Sequence, residues 1–446
     1  MFGTSGIRGE FGTDVTAALA LDVGRALAST GRSRVVVGRD PRETGRLLVD
    51  ALAAGLRECG ADVAYLGEVP TPTVARAVGW LDADAGVSVT ASHNPPEDNG
   101  IKLWDADGSA FTGGDQTAVV ERVERDAYEP VGWRDVGNRW MESGARQRHV
   151  DAVVEAVDVD GRPEVVVDVG HGSGRLTATA LRRLGCEVTT LHARPDGSFP
   201  ARPSEPTAEH CGELCDLVAA GDADFGVAHD GDADRMLAVT GDGEFVSGDV
   251  LLALFARREA GAGDQVAVPI DTSMAVREAL STVGATVTFT RVGDGFVANR
   301  ASDDGVAFGG EPSGAWIWPA LSLCPDGTLA AAKLASLVAD RGPLADLVAG
   351  VPSVPIRREN VPAADNDAVV ERVRSRIADR YENVTNVDGV RVDHDDGWFL
   401  VRASGTQPLV RITAQADEDA RMEALFDTAS ELVEAAVDDL GAGVPQ

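Results

Sequence analysis

Asp230-Gly231-Asp232-Ala233-Asp234-Arg235 sets three carboxylates at alternate positions on one short stretch. Hard cations such as magnesium take oxygen ligands, and this spacing lets a single turn supply three. A calcium EF-hand loop is excluded twice. Its sixth position needs glycine and holds Arg235, and its twelfth needs glutamate and holds Gly241. The competing reading is a solvated acidic turn. The apolar run Phe225–Ala228 just before the stretch and the arginine that ends it favour the metal.

A second stretch, Thr90-Ala91-Ser92-His93-Asn94-Pro95-Pro96, also follows an apolar run, and its two prolines bar a helix. Ser92 is either a nucleophile or a turn serine bonding its own backbone. A serine hydrolase lacks support here. There is no Gly-x-Ser-x-Gly elbow, and His93 in an extended segment is expected to point away from Ser92. A serine near a three-Asp metal loop suits phosphoryl transfer, in which the metal neutralises phosphate oxygens and positions the phosphorus. Lys102, ten residues on, could balance charge or move a proton. Arg402-Ala403-Ser404-Gly405-Thr406 offers a guanidinium, two hydroxyls and an accessible backbone N–H, a set that suits a fixed phosphate or a capped turn. Gly309-Gly310-Glu311-Pro312-Ser313-Gly314 reads as a glycine-flanked loop whose carboxylate and hydroxyl suit sugar hydroxyls.

The chain that carries these stretches has 446 residues, enough for about three domains. Its 44% apolar and 25% charged residues exclude a disordered or collagen-like chain. Asp and Glu number 72 against 40 Lys and Arg, a net charge of −32. So acidic a surface repels phosphate backbones, so no nucleic-acid partner is expected. Only Lys102 and Lys333 are lysine. Acid excess with scarce lysine suits a halophilic, high-salt cytoplasm. No apolar leader opens the sequence and no run of about 18 apolar residues occurs, so a cytoplasmic protein without a membrane partner is expected. Five cysteines do not suggest a disulfide framework. His210-Cys211 and Cys215 lack the further ligands of a zinc site. Oligomeric state is not written in the pattern.

Apolar runs place the elements. A helix capped at Asp14–Thr16 precedes the strand Val35–Val37, a helix over Leu47–Leu56, the strand Val63–Leu66, a short helix near Val74 and the strand Gly86–Val89. A second pass has strands at Val165–Val167, Val188–Leu191 and Phe225–Ala228, with helices at Leu176–Leu184 and Ala208–Val218. A third has strands at Val266–Val268, Val287–Phe289 and Val306–Phe308 among helices at Val250–Phe255 and Met274–Leu280. The fold class expected is therefore α/β, with three similar mixed α/β domains at 1–148, 149–245 and 246–352. Each carries an unusual loop after its last strand, where open α/β sheets bind ligands, so the three loops could share a central cleft. Residues 353–446 change pattern to the helix Ala368–Ile377, three strands and a closing helix Glu418–Val437, an α+β domain.

Together and in this order the loops resemble the α-D-phosphohexomutase family over essentially the whole chain. Phe2-Gly3-Thr4-Ser5-Gly6-Ile7-Arg8-Gly9, Gly38-Arg39-Asp40, Pro70-Thr71-Pro72, Pro195-Asp196-Gly197-Ser198-Phe199-Pro200, Glu205-Pro206-Thr207 and Val292-Gly293-Asp294 add to the match. The resemblance implies a four-domain isomerase with a phosphoserine at Ser92. Magnesium is implied at Asp230, Asp232, Asp234 and the phosphoserine, with a hexose 1,6-bisphosphate as intermediate and activator. It implies that Glu311 and Ser313 read sugar hydroxyls, and that Arg402, Ser404, Gly405 and Thr406 hold the phosphate that is not moving. It also implies that Arg8, His93 and Lys102 surround the reacting groups and that Arg235 binds substrate.

Two departures stand out. The family's Ser-Gly-His is Ser313-Gly314-Ala315 here, and its phosphate loop continues Gln407-Pro408 in place of Glu-Pro. Val292-Gly293-Asp294 and the Ser-Gly-Thr loop look more like phosphoglucosamine mutases than phosphomannomutase/phosphoglucomutases. The rival classes are a magnesium-dependent phosphatase or kinase-like phosphotransferase, and a non-catalytic sugar-phosphate binder.

Overall fold

A computed structural model describes residues 6–363, 365–378, 380–404 and 409–441. Two compact units make up the chain, Met1–Leu252 with Gly293–Gly350 and Ala253–Val292 with Val351–Gln446.

In the first unit the three valines Val35, Val36 and Val37 are fully buried, as a parallel strand covered on both faces requires. Their strand, Arg34–Arg39, lies fourth in a six-stranded sheet ordered Ile7–Glu10, Asp98–Trp104, Ala85–Val89, Arg34–Arg39, Asp62–Glu68, Arg139–Met141. Neighbours from Ala85–Val89 to Arg139–Met141 run parallel, and the two strands at the other edge are antiparallel. A five-stranded sheet repeats the mixture, with Phe225–His229, Glu164–Asp168 and Glu187–Leu191 parallel and Met236–Thr240 and Phe245–Val246 added antiparallel. Val306–Glu311 pairs with Ala315–Ile317 as an antiparallel hairpin.

In the second unit Gln265–Pro269 pairs parallel with Thr286–Thr290. A separate antiparallel sheet of five strands ends with Val390–His394, Gly397–Ala403 and Leu409–Ala416, backed by the helices Asn366–Ile377 and Asp419–Gly441. Arg391 is buried there with its guanidinium against the rings of Trp398 and Phe289.

The apolar runs foretell many of these elements but miss others, among them the helices Ala145–Ala156 and Gly327–Arg341 and the strands Met236–Thr240 and Ile356–Pro362. Ile7–Glu10 and Asp98–Trp104 are strands although polar residues and a glycine interrupt the apolar pattern of each, because strand pairing outweighs local composition there. Gly309-Gly310-Glu311 belongs to a strand and not to a loop, so only Pro312–Gly314 turns. The helix expected from Ala208 begins at Gly212. Among the described residues no helix is long and apolar enough to cross a membrane.

The helices Ala17–Ala28 and Gly45–Glu58 approach through two glycines. A Cβ on Gly55 would lie 2.1 Å from the Leu21 carbonyl oxygen, and one on Gly24 would lie 2.3 Å from that of Leu52. Backbone cannot yield as a side chain can. Gly55→Ala is therefore expected to cost about 3 kcal/mol, the upper end for overpacking, despite alanine's better helix propensity. Gly79→Ala, which meets nothing within 4 Å, should be neutral or gain up to about 1 kcal/mol. Differential scanning calorimetry checks both, and equal apparent Tm values for the two variants would refute the packing argument.

Candidate active site

Three strands of the first unit end in chemistry-bearing residues. After Ala85–Val89 the chain turns sharply, and Ser92 adopts a left-handed φ of 54°. Its Oγ donates to Asp230 Oδ2 at 2.7 Å, just beyond the strand Phe225–His229. A Cβ on Gly231 would sit 2.6 Å from the Ser92 carbonyl oxygen, so glycine is what lets the two loops touch. The carboxylates of Asp230, Asp232 and Asp234 converge, with one oxygen from each lying within 4.8 Å of the others, and all three residues are buried.

The antiparallel strand Asp98–Trp104 brings in Lys102. Its ammonium donates to Asp232 Oδ2 at 2.8 Å and to Asp234 Oδ2. Thr71, at the start of the helix Thr71–Trp80, donates its hydroxyl to Asp232 Oδ2 at 2.6 Å and its backbone N–H to the Asp232 carbonyl. The Arg235 backbone N–H donates to Asp230 Oδ1 at 3.2 Å. Arg8 pairs in register with Gly100, two residues from Lys102, and its Nε is buried without a hydrogen-bond partner among the described residues.

Electrostatics splits the three aspartates. Burial, then the charges of Asp234 and Asp232, drives the Asp230 carboxyl well above its usual range. Asp234 rises for the same kind of reason, burial first and Asp232 second. Burial would raise Asp232 too, but the Lys102 ammonium and the hydrogen bonds from Lys102 and Thr71 outweigh it and hold the carboxyl low. Burial works against the Lys102 charge, yet Asp232 and Asp234 keep the ammonium protonated beyond its ordinary value. In this arrangement the Lys102 ammonium is held as a cation by its two carboxylate partners.

A hard divalent cation fits this cluster. Every donor is an oxygen, the carboxylates already converge, and Asp232 Oδ1 is buried with no hydrogen-bond partner.

His93 departs from expectation. The left-handed turn at Ser92 brings the imidazole back, and His93 Nδ1 lies 3.4 Å from Ser92 Oγ, where an extended segment would have sent it away. A cavity of about 520 Å³ opens beside the loop, lined among others by His93, Pro95, Pro96, Phe199, Ser204 and Glu205.

At the third strand end Glu311 Oε1 accepts from the Gly293 N–H at 2.7 Å, and Ser313 Oγ donates to Glu311 Oε2 at 3.2 Å. This turn abuts the aspartate loop. The Met236 N–H donates to the Gly314 carbonyl, and Arg235 bridges to Ala315. Asp230, Asp234 and Glu311 all act to raise the Arg235 pKa, against its burial. Sequence alone thus named most of the cluster. It missed Thr71 as an aspartate partner, although Pro70-Thr71-Pro72 was in view.

In the second unit, Arg402 Nη1 donates to Asp388 Oδ2 at 3.3 Å, and Nη2 lies 4.0 Å from Asp271 Oδ2. Ser404 Oγ is buried with no hydrogen-bond partner among the described residues. Arg402 lines a cavity of about 290 Å³ with Arg358 and Arg411, two arginines that spacing had not singled out. The alternation along paired strands, with Arg411 opposite Arg402, was the signal available. Phe2 to Ser5, Gly405, Thr406, Gln407 and Pro408 lie outside the described residues.

Sequence profiles described as phosphoglucomutase/phosphomannomutase alpha/beta/alpha domains I, II and III and C-terminal domain match residues 1–129, 147–243, 247–354 and 359–432. A protein of Methanococcoides burtonii named "probable phosphoglucosamine mutase" is 45% identical over 441 residues, covering 98% of this chain and 99% of its own. A protein of the same name from Methanopyrus kandleri is 44% identical over 448 residues with the same coverage. The crystal structure of a phosphoglucomutase/phosphomannomutase family protein from Burkholderia thailandensis superposes with a TM-score of 0.87 at 29% identity, covering 98% of each chain.

The His93 ring gives a pH test. Burial, then the cations Arg235, Arg8 and Lys102, push it down to about 2. The unfolded chain takes up this proton near pH 6.5, and the folded one refuses it. Stability should therefore fall as pH drops below 6.5, by up to about 1.4 kcal/mol per pH unit from this group. In protein prepared without metal or phosphate, the NMR resonances of the His93 ring should stay flat from pH 8 to pH 5. A midpoint near 6.5 would refute the burial argument.

Proposed function

Because the chain belongs to the phosphoglucomutase/phosphomannomutase family, we propose that it interconverts a hexose 6-phosphate and the matching hexose 1-phosphate through a phosphoserine at Ser92. The preferred substrate in this reading is glucosamine phosphate, with mannose and glucose phosphates as the alternative. The names of the two archaeal relatives support that order. The observation that carries the reading is a buried serine hydroxyl 2.7 Å from one of three convergent carboxylates. A turn serine, or a sugar-phosphate binder without chemistry, has no use for such a placement.

Ser92 Oγ donates its proton towards Asp230, which leaves oxygen lone pairs free for phosphorus. In the transfer, the bond between phosphorus and Ser92 Oγ breaks as a sugar hydroxyl oxygen bonds the same phosphorus, and in the net step the hydroxyl's proton ends on Ser92 Oγ, which is a hydroxyl again. The reverse step at the other end of the sugar returns a phosphoryl group to Ser92. Asp230, Asp232 and Asp234 would hold magnesium, which when bound neutralises phosphoryl oxygens. Lys102 and Arg235 offset the carboxylates at close range, and Arg8 brings to the same place a guanidinium N–H without a hydrogen-bond partner among the described residues. Glu311 and Ser313 are assigned to sugar hydroxyls. Arg402, Ser404, Gly405 and Thr406 are assigned to the phosphate that is not moving, a role consistent with three arginines lining one cavity. The reaction is placed in the cytoplasm, where charged sugar phosphates cannot leak across a membrane.

Ser92→Ala should lose at least about a thousandfold in kcat while keeping its circular dichroism spectrum. Intact mass should show one phosphate adduct on the wild-type protein after exposure to glucose 1,6-bisphosphate and none on the variant. Near-normal turnover by the variant would sink the mechanism. The substrate order is read from kcat/KM on glucosamine 6-phosphate, mannose 6-phosphate and glucose 6-phosphate. A tenfold preference for mannose 6-phosphate would overturn it.

Asp232→Asn removes a charge from both the metal and Lys102. Magnesium Kd by titration calorimetry should rise by more than tenfold, and activity lost to EDTA should return only at raised magnesium. An unchanged Kd would count against the metal assignment.

A further inference from the structure

Arg42 lies three residues beyond the strand Arg34–Arg39, and it is fully buried. An arginine has five N–H donors in a planar fork, and here all five are used. Nη2 donates to the carbonyls of Ser92 at 3.1 Å and Asn94 at 2.6 Å. Nη1 donates to the carbonyls of Asp98 at 2.8 Å and of Pro95. Nε donates to Asp40 Oδ2 at 3.0 Å, the charge partner. One side chain therefore gathers four carbonyl oxygens of a seven-residue segment that Ser92 begins.

A second path runs from the same pair to Ser92 itself. Thr90 Oγ1 donates to Asp40 Oδ2 at 2.7 Å and accepts from the Ser92 N–H at 2.8 Å. The Ser92 peptide is thus fixed on both sides, through its N–H by way of Thr90 and through its carbonyl by Arg42. The Pro195–Ser204 stretch closes over the fork. The Phe199 ring lies 5.1 Å from the guanidinium carbon, and Ser204 Oγ donates to the carbonyls of Ser92 and Asn94. A Cβ on Gly197 would come 2.6 Å from Arg42 Cα, so that contact admits only glycine.

A serine at φ 54° costs energy unless its surroundings hold it there. We infer that Arg42, with Asp40 and Thr90, is a positioning residue for phosphoryl transfer: it holds the 92–98 loop in the one shape that aims Ser92 Oγ at the aspartate cluster. Arg42 touches no reacting atom. It acts on the rate through the backbone of Ser92, and this rests on Ser92 being the phosphoryl carrier. Lysine cannot replace it, because a single ammonium with three donors cannot span four carbonyls and a carboxylate.

The test compares the full-length wild-type protein with Arg42→Lys, Arg42→Ala and Thr90→Val. Each receives magnesium and glucose 1,6-bisphosphate labelled with ³²P, and the rate of label entering Ser92 is followed. Arg42→Lys should label, and turn over, about a hundredfold more slowly, the penalty expected of a nucleophile displaced by about an ångström. KM and magnesium Kd should stay within about threefold, because no binding group is touched. Thr90→Val, nearly isosteric, should lose about tenfold in labelling rate, and added guanidinium should restore part of the rate to Arg42→Ala.

Labelling of folded Arg42→Lys at the wild-type rate would overturn the inference. So would losses in kcat, magnesium affinity and thermal transition that move in step, since those mark a structural role only. If the Arg42 variants fail to fold, Thr90→Val decides, and an unchanged labelling rate there overturns the inference. Absence of label on the wild-type protein would overturn the Ser92 reading itself and this inference with it. Label on the wild type alone separates the two.

Discussion

Three carboxylates buried in one loop must be held against their own repulsion, and the rest of the first unit depends on how that is done. An uncompensated buried charge costs several kcal/mol, so Asp230, Asp232 and Asp234 cannot all stand ionised without partners. Lys102 supplies a cation in direct contact with two of them, and Arg235 and Arg8 act from beside the cluster. The price of bringing a lysine there is a strand of mixed polar and apolar residues, Asp98–Trp104, paired antiparallel against an otherwise parallel sheet. A phosphoryl group on Ser92 would add nearly two negative charges, and a divalent cation would return two positive ones. The cluster's three-against-three balance is then preserved, which is why modification and metal belong together in the proposed chemistry.

The same demand explains where the backbone is strained. Ser92 and Ala233 are both non-glycine residues in the left-handed region, one on each of the two loops that meet. Ala233 lets the chain double back so that alternate aspartates face inward together. Its carbonyl accepts from the Gly327 N–H at 3.2 Å, and a Cβ on Gly327 would lie 2.6 Å from the Arg235 carbonyl oxygen. Gly327 begins the helix Gly327–Arg341, whose N-cap Asp326 is pinned by His149 at 2.8 Å and Arg76 at 2.9 Å. A buried ion network remote from the serine thus props the turn that shapes the aspartate cluster.

What the sequence makes legible follows from range. The valine runs announce their strands because a strand buried on both faces must be apolar along its length. The alternate aspartates announce their convergence because their spacing is local. The strands Ile7–Glu10 and Asp98–Trp104 are not legible, since they pair with each other from far apart in the chain and Asn99 and Lys102 are buried by such distant partners. The direction of His93 is lost for a related reason. Nothing in Ala91-Ser92-His93 encodes a left-handed serine, whose conformation is imposed by hydrogen bonds from residues about fifty positions away. Glu311 was expected on a loop, because paired glycines suggest a turn where Gly310 in fact lets the strand pass the Trp316 ring.

Net charge raises a last question, how a chain at −32 admits a dianionic sugar phosphate. Long-range steering works against it, since the summed field repels anions. Screening removes most of that opposition. The Debye length is about 8 Å at physiological ionic strength and about 3 Å at 1 M, so a phosphate near the surface feels mainly its nearest charges. In the first unit Asp230 lies nearest the serine and the cations Lys102, Arg8 and Arg235 stand against the aspartates, and in the second Arg358, Arg402 and Arg411 share a cavity wall with Asp271 and Glu359. Asp271 and Asp388 flank Arg402, so its guanidinium is oriented before any anion arrives. Arginine suits this work better than lysine, because its planar fork binds phosphate by geometry as well as charge and sheds water more readily. The near-absence of lysine is consistent with that division of labour. One of the two, Lys102, is buried against Asp232 and Asp234, and the positions assigned above to phosphate are arginine.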